Sequence, residues 1–163
     1  MKHSLPLVFL FLLALLSSCK KDEEKDTSPA QAAQAAQDEA TIAAYIRDNS
    51  LTGFQRRESG LYVAITRPGT GANALDGQIV KVLYTGTTLD GKVFDSNLTT
   101  LGFPFQLGNG SVIAGWDEAF KLFNKGSKGT LLIPSGLAYG ASGRGAIPPN
   151  AVLRFEVEVV DIK

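Results

Sequence analysis

The chain has 163 residues, with 16 basic and 16 acidic side chains, so its net charge is close to zero and offers no electrostatic footprint for nucleic acid. It holds one histidine, His3, one cysteine, Cys19, and one tryptophan, Trp116. A lone cysteine excludes structural disulfides and zinc clusters built on thiolates.

In chain order, residues 1–18 read as an export signal. Lys2 gives a short basic start, Leu5 to Leu16 are apolar, and Ser17 and Ser18 are small. An apolar run this short does not span a bilayer, which needs roughly 20 residues. One reading is an ordinary cleaved signal with Cys19 incidental. However, Leu16-Ser17-Ser18-Cys19 closely resembles a bacterial lipobox, in which cleavage leaves the cysteine as a lipidated first residue. That resemblance implies a protein lipid-anchored at Cys19 to a bacterial membrane outside the cytoplasm, with the outer membrane as the expected address. The charge run Lys20 to Asp26 must stay solvated and resembles a surface-export signal of some Gram-negative lineages; the periplasmic and surface faces both stay open. Such processing removes His3 and spends Cys19 on lipid. The mature chain then has no imidazole and no free thiol, which excludes Ser-His-Asp and Cys-His catalysis and histidine metal sites. No metal and no cofactor are expected.

Residues 19–40 are read as a lipid-anchored tether, first charged and then Ala/Gln-rich, helical in part but with almost no apolar face to bury. Residues 41–59 hold one amphipathic helix marked by Ile42, Tyr45 and Ile46, then a connection. This helix packs on the main domain or on a second copy of itself, a candidate homodimer. Beyond residue 59 the pattern becomes strands. Leu61 to Thr66 alternates before Arg67-Pro68-Gly69 breaks it, and Ile79 to Thr87 is β-branched with Val80, Val82 and Tyr84 on one face. Asp90-Gly91 turns the chain into Val93-Phe94, and Phe103 to Leu107 is a short apolar strand. Gly129 to Pro134 is another. In the last strand Leu153, Phe155, Val157 and Val159 alternate with Arg154, Glu156 and Glu158, as a half-buried antiparallel strand requires. The fold class is α+β, an antiparallel sheet curved over one short helix in a single domain.

That helix is expected to begin near Trp116, with Trp116, Ala119, Phe120 and Phe123 on one face, Asp117 and Glu118 in the first turn, and Lys121 and Lys125 late before Gly126. By itself Trp116 reads as a core anchor. Leu137 to Asn150, with Gly140, Gly143, Gly145, Pro148 and Pro149 around Tyr139 and Ile147, is either a plain surface connection or the wall of a pocket.

From Gly60 to Lys163 the motifs Tyr84-Thr85-Gly86, Asp90-Gly91-Lys92-Val93-Phe94-Asp95-Ser96, Phe105-Gln106-Leu107-Gly108, Val112-Ile113-Ala114-Gly115-Trp116, Ala138-Tyr139-Gly140 and Ile147-Pro148-Pro149-Asn150 occur in order. They closely resemble those of FKBP-type peptidyl-prolyl cis-trans isomerases. The resemblance implies an FKBP-like antiparallel sheet around one short helix over residues 60–163. It also implies isomerase activity on X–Pro bonds in exported polypeptides, with no metal or covalent intermediate. Carried over by motif, the catalytic positions are Tyr84, Phe94, Asp95, Tyr139 and Phe155, and the substrate-binding positions are Phe103, Val112, Ile113, Trp116 and Ile147. Trp116 becomes a pocket floor. The chain departs from the family pattern at three places: Leu98-Thr99-Thr100 stands where an arginine often pairs with the pocket aspartate, Arg144 where some members carry histidine, and Ser111 where an acidic residue is frequent. A rival reading keeps the pocket as a chaperone-like or adhesive binding module with little isomerase activity.

Overall fold

The computed structural model describes residues 28–98 and 101–163. The stretch read as an export signal, the expected lipidation position Cys19 and the charge run lie outside the described residues, as do Thr99 and Thr100.

The first element, α1 (Pro29–Asp48), opens on a capping box: Ser28 Oγ accepts from the Gln31 N–H, and the Gln31 side chain accepts from the Ser28 N–H. Pro29 sits in its first turn, where a missing N–H costs nothing. The helix therefore starts at Pro29 and not near residue 41, and most of the Ala/Gln-rich stretch read as tether is its first half. Alanine and glutamine propensity with a strong cap suffices to set the start. The helix is also not left loose. Ile42 is fully buried against Leu132 and Val152. Glu39 accepts from the Tyr62 hydroxyl at 2.5 Å and from Arg56 Nε at 2.8 Å. Asp38, only 2% exposed, accepts from Ser135 N at 2.7 Å, Ser135 Oγ at 2.6 Å and Gln34 Nε2 at 2.8 Å. So α1 is fixed to its own domain.

The strands follow as β1 (Gln55–Arg56), β2 (Tyr62–Arg67), β3 (Thr70–Asn73), β4 (Ile79–Thr88), β5 (Val93–Ser96), β6 (Phe103–Gln106), β7 (Asn124–Lys125), β8 (Lys128–Ile133) and β9 (Leu153–Ile162). A seven-stranded antiparallel sheet runs β1-β2-β8-β9-β4-β5, with β6 also pairing β4. A separate pair joins β3 to β7. The class is α+β, as the strand spacing predicted. Alternation places Val80, Val82 and Tyr84 of β4 and Leu153, Phe155, Val157 and Val159 of β9 on the buried face. These two central strands share the longest register, with Gly86 opposite Phe155 and Tyr84 opposite Val157.

The buried face packs on α2 (Ala114–Ala119). This helix is shorter than its sequence suggests. After Ala119 the chain tightens into a 3-10 turn, Phe120–Leu122, and Lys125 lies in β7 and not in a last helical turn. The tightening lets Phe120 and Phe123 both reach full burial before the chain extends to pair with β3. Helix and sheet approach closely at Gly115, where a Cβ would lie 2.5 Å from Ile133 Cγ2.

Candidate functional site

Four pieces of chain converge at one end of the sheet. β4 and β5 bring Tyr84, Phe94 and Asp95, and β6 brings Phe103. The segment entering α2 brings Val112 and Ile113, and α2 itself brings Trp116. The connection from β8 to β9 brings Tyr139 and Ile147, and β9 brings Phe155. All of these line one cavity of about 840 Å³. Every position singled out in the sequence for catalysis or substrate binding is therefore gathered there.

Each piece is held by identifiable contacts. The turn out of β5 is tied to β4 through Asn97: its Oδ1 accepts from the Tyr84 N–H at 2.8 Å and its Nδ2 donates to the Val82 carbonyl at 3.1 Å. Asp117 fixes the segment before α2, because its two carboxylate oxygens accept from the N–H groups of Gly108 at 2.9 Å and Gly110 at 3.0 Å. Past β8, Ser135–Leu137 forms a 3-10 turn that Asp38 caps across space. Gly140–Ser142 forms a second, and the Asn150 N–H donates to the Gly140 carbonyl at 2.8 Å, closing the loop on itself. The loop is thus a built wall, with α1 bracing it from behind.

Trp116 is 4% exposed and lies at the centre of an aromatic cluster. Its ring centroid is 5.1 Å from Tyr84, 5.2 Å from Phe155 and 5.2 Å from Phe120, all edge-to-face. Phe94 packs edge-on against Phe155 at 5.5 Å. Gly86 makes this possible: a Cβ there would lie 2.6 Å from Phe94 Cζ and 2.8 Å from Phe155 Cε1. The cavity remains open at the rim, where Phe103 is 41% exposed. The Trp116 indole N–H is buried and has no acceptor among the described residues.

The polar groups are few. The Tyr84 hydroxyl donates to Asp95 Oδ2 at 2.6 Å, which supplies the aspartate with a partner where a family arginine is absent. Burial, and then that hydrogen bond and the Asp95 charge, push the Tyr84 hydroxyl well above the ordinary tyrosine range. Among the described residues, the Tyr139 hydroxyl and the Ile113 N–H have no hydrogen-bond partner within the protein. Sequence reasoning did not place Ala138, Ala146 or Gly110 in the wall, since small residues leave no chemical signal. It noted Arg144 and Ser111 only as departures, and both line the cavity. A second groove of about 550 Å³ lies between α1, the β4–β5 turn and residues 146–152. It holds no aromatic ring and shares only Ala146 with the cavity.

Residues 71–160 match the family model described as FKBP-type peptidyl-prolyl cis-trans isomerase. Over 111 residues the chain is 46% identical to the FKBP-type peptidyl-prolyl cis-trans isomerase FkpA of Aeromonas hydrophila, covering 68% of this chain and 41% of that protein. It is 43% identical over 120 residues to the FKBP-type 22 kDa peptidyl-prolyl cis-trans isomerase of Escherichia coli, covering 72% of this chain and 58% of that one. The crystal structure of FkpA from Escherichia coli superposes with a TM-score of 0.69 at 39% identity, covering 82% of this chain and 64% of that chain. A peptidyl-prolyl cis-trans isomerase structure from Pseudomonas syringae gives 0.67 at 34% identity, covering 83% and 97%. The matched region is thus less than two thirds of the length of both FkpA proteins and the 22 kDa protein.

Proposed function

We propose that this chain, which belongs to the FKBP-type peptidyl-prolyl cis-trans isomerase family, accelerates rotation about X–Pro bonds in exported polypeptides. The observation that carries the reading is the cavity itself: an aromatic floor and walls, open at the rim, where the Tyr139 hydroxyl and the Ile113 N–H have no partner among the described residues. The uncatalysed barrier is about 18–20 kcal/mol and reflects lost amide resonance, so no bond has to be made or broken. A catalyst needs only to bind the twisted amide better than the planar one. Trp116 serves as the floor for the proline ring, with Phe94, Phe103, Phe155, Val112 and Ile147 excluding water around it. The twisted carbonyl is less polar than the planar one and loses less on leaving water. Asp95 holds the Tyr84 hydroxyl, which fixes that wall. The Ile113 N–H and the Tyr139 hydroxyl donate to the peptide carbonyls on either side of the rotating bond.

A proline-limited refolding reaction, with and without the soluble chain, tests this reading. Catalytic amounts should shorten the slow phase, which lasts tens to hundreds of seconds uncatalysed. A slow phase that is unchanged at equimolar chain overturns the isomerase assignment. The location follows from the N-terminal pattern: a lipid at Cys19, a membrane outside the cytoplasm, and clients met after export. Among the described residues no helix is long and apolar enough to cross a membrane. The packing of Ile42 onto its own domain narrows any homodimer through α1 to the outward face of that helix, and light scattering on the soluble chain tests it.

A further inference from the structure

Among the described residues, two of the side chains lining the cavity are charged, Asp95 and Arg144. Asp95 is engaged by the Tyr84 hydroxyl. Arg144 forms no ion pair among the described residues, and its guanidinium carbon lies 5.5 Å from the centroid of the Tyr139 ring. The neighbouring charges Asp90 and Lys92 line the groove behind the loop and not this cavity.

The position of Arg144 is built into the backbone. Arg144 and Ile147 exchange two backbone hydrogen bonds of 2.9 Å, which close a tight turn. Gly143 and Gly145 flank Arg144 at φ +61° and +55°, a region that favours glycine, and a Cβ on Gly143 would collide with the Ile147 carbonyl. The turn therefore presents Arg144 and Ile147 together at the rim. The cation–π contact with Tyr139 holds the guanidinium at the rim, and its planar fork matches a carboxylate in two parallel hydrogen bonds. An aromatic floor that accepts a proline ring leaves the residues flanking that proline to meet this rim.

We propose that Arg144 is a specificity-determining residue, selecting X–Pro segments with a carboxylate side chain next to the proline and disfavouring cationic ones. The inference rests on the isomerase reading of the cavity.

The test uses end-blocked tetrapeptides of the forms Ala-Xaa-Pro-Phe and Ala-Leu-Pro-Xaa, with Xaa as Glu, Gln or Lys. Affinity is read from Trp116 fluorescence, and turnover is read separately as kcat/KM. In at least one series Glu should bind about two- to fivefold more tightly than its isostere Gln, the range of an exposed ion pair, and Lys more weakly than Gln. The preference should shrink from about 0.01 M to about 1 M salt, as the screening length falls from about 30 Å to about 3 Å. Arg144→Gln should abolish it and Arg144→Glu should reverse it; both change an exposed side chain whose removal leaves the core intact. Equal affinity for Glu and Gln in both series overturns the proposal, as does a preference that survives Arg144→Gln. Failure to bind any of the peptides overturns both this proposal and the isomerase reading. Binding with the stated preference but without turnover removes the isomerase reading alone, and turnover of all peptides at equal rates removes Arg144 alone.

Discussion

Replacing Tyr139 by phenylalanine removes one oxygen atom from the rim of the cavity. Because that hydroxyl has no protein partner among the described residues, its loss leaves no buried group unsatisfied. Stability should stay within about 0.5 kcal/mol of the parent. The rate constant for a short proline peptide should nevertheless fall, because one hydrogen bond worth about 0.5–1.5 kcal/mol in the transition state corresponds to roughly two- to tenfold. Phe155→Ala makes the opposite comparison. Phe155 is 4% exposed, and its ring packs on Trp116, Phe94 and Tyr84 at 5.2, 5.5 and 6.2 Å. Deleting it should cost about 3–5 kcal/mol, a large share of a typical domain stability of about 5–15 kcal/mol, and should slow catalysis as well. Urea unfolding followed by Trp116 emission and a peptide isomerisation assay measure both quantities on the same samples. A Tyr139→Phe protein destabilised by more than about 1 kcal/mol, or one with the parental rate, refutes the placement of that hydroxyl at the reacting peptide.

Asp38→Ala should destabilise by about 1–3 kcal/mol for each Ser135 donor it strands, and Asp38→Asn should be milder because an amide oxygen still accepts; denaturant midpoints of the two variants decide this. Gly86→Ala should cost about 1–3 kcal/mol and reduce turnover, since its methyl group would press on Phe94 and Phe155; parental stability and rate would show that those rings yield freely. The isomerase rate should be flat between about pH 6 and 8, because the Tyr84 hydroxyl stays protonated and a mature chain without His3 has no imidazole. A raised Tyr84 pKa adds stability that is complete below the ordinary value of 10.0 and is lost as pH climbs through the folded-state value, so pH melts should show a loss only on the alkaline side from this group. Cys19→Ser should move the protein from the detergent to the aqueous phase or leave an uncleaved precursor; a processed variant that still partitions with detergent removes the lipid anchor.

The class of fold was legible in side-chain type, and the lining of the cavity through the resemblance that its motifs carry. Period-two alternation marks β4 and β9, and the motifs shared with the isomerase family mark the residues that line the cavity. What stayed hidden is written in polar contacts and empty space. The start of α1 was missed because a hydropathy pattern looks for an apolar stripe, whereas the apolar contacts of this helix begin only at Ile42 and the turn before it docks through the carboxylates of Asp38 and Glu39. The capping box at Ser28 and Gln31 was the available signal. The early end of α2 was hidden because a 3-10 turn keeps the same apolar order that a longer helix would have. Asp117 was read only as a helix-dipole charge, yet its side chain staples the segment that carries Val112 and Ile113.

Local stability is given up repeatedly around one volume. Among the described residues a buried indole donor has no acceptor, a large aromatic stays 41% exposed, and a glycine stands third from the end of the central strand β4. An unpaired buried donor costs about 1–3 kcal/mol, and a glycine inside a strand forfeits packing and backbone entropy. Elsewhere the inner face of the same sheet obeys alternation, burying Val80 and Val82 of β4 and Leu153, Val157 and Val159 of β9. Costs that gather at one place mark a surface shaped for a ligand rather than for folding. What offsets them lies behind the loop. Asp38 caps the Ser135 turn while Ile42 fills the hollow between Leu132 and Val152, so α1 grips both ends of the segment that carries Tyr139, Arg144 and Ile147. An open cavity needs a wall that does not collapse into it, and here that wall is braced by a helix of which sequence patterning marked only the second half.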